Sequence, residues 1–116
     1  MSAPTEVDIE TTRGDTHLIK ATVVDPDDGS AIDLTTAVIR YKLAKSVTAT
    51  TVNISKTVGA GITVTDGPAG KMEIRLDQTE TALLAGDFYH ECEVKVDGNV
   101  YTVFTGKISF TKDLVI

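Results

Sequence analysis

Apolar and polar residues alternate one by one over short runs, and a cluster of turn formers closes each run after about ten residues. A period of two puts every second side chain on the same side of an extended strand, so each run has one face for a core and one for water. Seven or eight such runs can be read between Thr5 and Phe110. This pattern predicts an all-β chain folded as an antiparallel β-sandwich, and 116 residues are enough for one such domain, residues 1–116.

The runs differ in how they are dressed. Thr5 to Thr11 carries Val7 and Ile9 among acidic neighbours, which predicts an edge strand. From Thr16 to Val24, His17, Ile19, Ala21 and Val23 share one face and Leu18, Lys20, Thr22 and Val24 the other; neither is cleanly polar, so a central strand is expected. Thr36 to Ala44 turns Ile39, Tyr41 and Leu43 inward and Arg40 and Lys42 outward. A strand around Thr51 to Lys56 has poorly marked ends. Gly61–Thr65 and Lys71–Leu76 form a hairpin about Asp66-Gly67-Pro68-Ala69-Gly70.

Asp77 followed by Glu80 reads as a capping box, predicting one short helical turn near Asp77–Leu84 that Gly86 can close. Phe88, His90, Cys92, Val94 and Val96 then line one face of a strand. Asp97-Gly98 marks a tight hairpin, because both residues tolerate positive φ. In the returning run, Val100 to Phe110, Phe104, Ile108 and Phe110 face inward and Tyr101 and Val103 outward, while Gly106 marks a bulge or a close backbone approach.

Little in the chain resembles reaction chemistry. The single cysteine excludes an internal disulfide and fits a reducing compartment. His90 and Cys92 share a strand face, but no third group is visible to activate them, and His17 stands alone. Three Cys and His residues in all make a poor zinc set. No enzyme activity, cofactor or metal is therefore expected. Asp25, Asp27, Asp28 and Asp33 form a weak calcium candidate; they lack the terminal glutamate and flanking helices of the helix-loop-helix site, and a solvated turn is the plain reading. Arg13-Gly14-Asp15 spells a tripeptide read by adhesion receptors, yet it also suits an ordinary turn before a strand.

A net charge of −6, spread among strands and turns, speaks against a nucleic-acid partner. The opening Met1–Glu6 lacks the basic and apolar character of a signal peptide, and no run is long enough to span a membrane. A soluble protein made in the cytoplasm is expected.

One resemblance covers the stretch from Arg13 to Phe110. Arg13-Gly14-Asp15-Thr16, Thr22-Val23-Val24-Asp25 with Asp28-Gly29, Ile32-Asp33-Leu34-Thr35, Val64-Thr65-Asp66 with Gly70, Thr81-Ala82-Leu83-Leu84-Ala85-Gly86-Asp87-Phe88 and Val96-Asp97-Gly98 occur in this order. The series resembles the immunoglobulin-like domains of tailed-phage virion proteins and is similar to the N-terminal domain of phage baseplate upper proteins. The resemblance implies an immunoglobulin-like sandwich serving as a non-enzymatic structural component of a virion, whether baseplate, tail or neck adaptor or capsid decoration, made in the host cytoplasm. Its partners would be other copies of itself and other virion structural proteins, with no nucleic acid and no membrane.

Edge strands and termini are the expected contacts, with Val7, Ile9, Tyr101, Val103, Leu114, Val115 and Ile116 as candidates. The alternative is a stand-alone binding module that grips a glycan or host receptor through loops such as Asp25–Ser30 and Asp66–Gly70. Three tyrosines and no tryptophan count against it, because sugar platforms favour exposed aromatic rings.

Overall fold

The computed structural model describes residues 5–6, 8–25, 27–46, 48 and 51–111. Their strands are β1 (Thr5–Glu6), β2 (Ile9–Thr12), β3 (His17–Thr22), β4 (Val38–Ala44), β5 (Ile54–Val58), β6 (Gly61–Asp66), β7 (Lys71–Leu76), β8 (Gly86–Val96) and β9 (Asn99–Thr111), with one helical turn, α1 (Gln78–Thr81), between β7 and β8. The order across the fold is β1-β9-β8-β4-β5-β6-β7-β3, with β2 also on β9. β5 and β6 share only the pairs Thr57–Gly61 and Val58–Ile62, in parallel. There the chain passes from a larger sheet, β1/β2-β9-β8-β4-β5, to a smaller one, β6-β7-β3. Inward residues of both sheets form one core, among them Ile19, Ile39, Tyr41, Leu43, Ile62, Met72, Ile74, Leu76, Cys92, Val94 and Ile108.

The strand faces follow the alternation. In β4, Ile39, Tyr41 and Leu43 are buried and Val38, Arg40 and Lys42 exposed. β8 buries Phe88, His90, Cys92 and Val94. Asp97 and Gly98 carry φ of 52° and 79°, as a hairpin turn twisted to match its strands requires.

β1 and β2 are two pieces of one edge strand. Thr5 pairs with Phe104 and Ile9 with Ile108, at the same offset, and both run parallel to β9. Between the pieces the Asp8 carboxylate takes the Lys107 N–H at 2.9 Å, standing in for a backbone carbonyl.

Three expectations need correction. β3 lies at an edge rather than centrally: among the described residues its partner is β7 alone, and Leu18 on its outer face is 42% exposed. That outward leucine, not a second covering layer, spoiled the polar face. Tyr101 and Val103 do not point outward. The register shifts between Cys92–Phe104 and Glu93–Thr102, which leaves Val103 as the extra residue and puts Tyr101 opposite inward Val94. Both are half-buried against the core. The bulge therefore falls at Val103, while Gly106 stays in register with His90. Finally, α1 ends at Ala82 in the right-handed region; Gly86, at φ 84°, starts β8 rather than closing the helix.

Candidate functional site

The loop between β3 and β4 and the turn between β6 and β7 meet at one end of the sandwich. Their backbones bond directly: Val23 N–H to Gly70 O at 2.8 Å and Leu34 N–H to Gly67 O at 2.8 Å. The aspartates of this end serve their own turns. Asp25 accepts the Asp27 N–H at 2.8 Å, Asp28 accepts the N–H and hydroxyl of Ser30, and Asp33 accepts the N–H and hydroxyl of Thr35. The hydroxyl and then the N–H of Ser30 hold the Asp28 carboxyl below its ordinary pKa, and those of Thr35 do the same for Asp33. Among the described residues no three Asp, Glu, His or Cys side chains converge as a metal site, and the carboxylates of Asp25, Asp28 and Asp33 each accept hydrogen bonds within their own turns.

The opposite end is built around Thr81, fully buried at the end of α1. Asp77 and Glu80 form the reciprocal capping box that starts this helix. The Thr81 hydroxyl accepts the Gly14 N–H at 3.1 Å and donates to the Asp15 carbonyl at 2.7 Å. Arg13 Nε donates to Ala82 O at 3.0 Å, and the Arg13 N–H to Thr111 O at 2.9 Å. The Arg13-Gly14-Asp15 triplet is thus a turn clamped onto α1. Its signal in the sequence was faint: a threonine, poor inside helices, at the end of a capped turn.

His90 and Cys92, weighed above as a reactive pair, sit in the core. Burial, with Glu91 and Glu93 adding to it, pushes the Cys92 thiol up to about 12, so the thiolate a nucleophile needs is absent at neutral pH. His90 Nδ1 lies 2.9 Å from the Tyr41 hydroxyl, and its ring packs against Tyr41 and Phe104. Burial, then the neighbouring Cys92, raises the Tyr41 phenol above its ordinary value. This is a satisfied polar group inside a core.

Of the expected contact residues, Ile9 lies half-buried against the core opposite Ile108. Val7, Leu114, Val115 and Ile116 fall outside the described residues.

A concave surface of mixed lining lies on the outer face of the larger sheet. A hollow of about 670 Å³ is bounded by Lys42, Ala44, Tyr89, Glu91, Thr105 and Lys107, with Ser46 and Val52 beside it. Outward from the same face stand Arg40 on β4 and Glu93 on β8, paired across the strands, as are Lys42 and Glu91. The ion pairs among the described residues are Lys56–Glu80 and Arg75–Asp77, so these four charges make none.

The two sheets and their order form an immunoglobulin-like β-sandwich. No family model matches the chain, and no curated protein matches it in sequence. Among solved structures it is similar to the N-terminal domain of phage TP901-1 ORF48, with a TM-score of 0.60 and 13% identity over 96% of this chain and 92% of that one. Tim-1 is similar at a TM-score of 0.50 and 12% identity, over 98% and 99% of the two chains. At such identities the shared property is the fold. Among the described residues no helix is long and apolar enough to cross a membrane.

Proposed function

We propose that this chain is a non-enzymatic structural component of a tailed-phage virion, present in many copies that contact one another and other virion proteins. The observation carrying this reading is the end-to-end likeness to a phage domain, which accounts for 96% of the chain. The burial of Cys92 and His90 in the core supports a scaffold rather than a catalyst. So does the local use of Asp25, Asp28 and Asp33, whose carboxylates accept hydrogen bonds inside their own turns, which also weakens the loop-binding alternative. Baseplate, tail, neck and capsid surface are all compatible positions.

The test is quantitative mass spectrometry of density-purified particles from the source of the chain. The expected result is the chain in a fixed ratio to the other particle proteins, retained through a high-salt wash. Particles without it would overturn the reading.

A further inference from the structure

We infer that the outer face of β4, β8 and β9 is a self-complementary surface on which a second copy of this chain docks face to face. The inference deepens the multi-copy reading above, which supplies the second copy as occupant. The face is striped. β4 presents a basic column, Arg40 and Lys42, and β8 beside it an acidic column, Glu93 and Glu91. Cross-strand register puts Arg40 level with Glu93 and Lys42 level with Glu91, yet none of the four closes an ion pair among the described residues.

Consider a two-fold axis in the interface, parallel to the strands and midway between β4 and β8. It lays each copy's β4 over the other's β8 and preserves the level along the strands. Arg40 then meets the partner copy's acidic column at Glu93, and Lys42 meets it at Glu91, giving four opposite-charge contacts. The same operation sets Tyr89 over Ala44, a large side chain over a small one on the wall of the hollow. It also lays β5 over β9, so that Ser55, level with Lys42, faces Thr105, level with Glu91. The overlaid strands lie along the same line and run in opposite directions, close to the roughly 30° of aligned sheet packing.

Four of the exposed large apolar residues, Val38, Val52, Tyr89 and Val100, stand on or beside this face. Val38 and Val100 flank Lys95 in one cross-strand row, and the operation lays each copy's Val38 on the aliphatic stem of the other's Lys95. Strand spacing and rise give the contact about 450 Å² on each copy. This is at the low end for a specific complex, so the free protein pairs weakly and the contact gains strength where copies are held close together.

The test is sedimentation equilibrium of the purified chain up to about 1 mM, the range of a weak pair. It compares wild type, Arg40→Glu/Lys42→Glu, Glu91→Lys/Glu93→Lys, and an equimolar mixture of the two variants. Wild type is expected to dimerise, with association weakening as salt is raised. Each variant alone places like charges opposite one another and loses association by more than about tenfold. The mixture restores it, because each variant's stripe then opposes the other's.

Circular dichroism and the urea midpoint check that the variants fold. Should one not fold, Arg40→Ala/Lys42→Ala and Glu91→Ala/Glu93→Ala replace it, each expected to weaken the pair and to abolish its salt dependence. A wild type that stays monomeric, variants that associate as wild type does, or a mixture that restores nothing would each overturn the inference. Virion membership would be untouched by those results, and particles lacking the chain would leave the pairing in solution intact.

Discussion

The two ends of the sandwich are held together in opposite ways. Where the β3–β4 loop meets the β6–β7 turn, main chain bonds to main chain, and the side chains around it fold back on their own turns. At the α1 end, one buried side chain, Thr81, ties the helix to a turn 66 or 67 residues away. The first end depends on a backbone that can come close; the second depends on a particular hydroxyl.

Gly70 tests the first end most severely. Its φ is 70°, and a Cβ there would lie 2.5 Å from Val23 O and 2.9 Å from Ile32 O. Gly70→Ala is expected to cost about 3 kcal/mol in urea unfolding, combining left-handed strain with a backbone clash. Gly29→Ala, at φ 76° but with nothing within 4 Å, separates the two terms and should cost only about 1 kcal/mol. Equal losses at the two glycines would show that the close approach is not what matters.

At the second end, Thr81→Val keeps the shape and removes the hydroxyl, leaving the Gly14 N–H and the Asp15 carbonyl without that partner. A loss of about 2 kcal/mol is expected in the same assay, together with faster amide exchange at Gly14. A neutral substitution would reduce the contrast between the ends to one of sequence distance.

The smallest effect concerns acid. Hydrogen bonds from Ser30 and Thr35 lower the folded-state carboxyl pKa of Asp28 and Asp33 below the ordinary carboxylate value. Their contribution is therefore complete above the unfolded-state pKa and is lost as pH falls through the folded-state value. Asp28→Ala/Asp33→Ala should flatten the fall of the urea midpoint between about pH 5 and pH 2, where carboxylates titrate, and leave the oligomeric mass unchanged. An unaltered pH profile would show that these turns do not depend on charge.

The contrast also explains what the sequence could disclose. Asx turns, the Asp77–Glu80 box and Asp97-Gly98 act over one to three residues, and all could be read from neighbours. So could the striped outer face, because β4 and β8 alternate without interruption. The Thr81 joint could not, since it spans nearly 70 positions and its turn is a common triplet. Nor could the bulge at Val103: one extra residue reverses which side the preceding residues face, and Val103 carries no local mark of it. β3 was misplaced for a related reason. Leu18 is apolar yet outward, and alternation alone does not distinguish a half-exposed leucine at an edge from one under a second layer.

The edge strand formed by β1 and β2 runs in the same direction as β9, so the chain enters this ladder at one end of the fold and leaves it at the other. Tension applied between Thr5 and Thr111 would pull the two strands past each other along their length. The hydrogen bonds between them then resist together, in shear, instead of opening one after another like a zip. The parallel pairing is a mechanical clamp: it lets a small domain bear a load passed through it end to end.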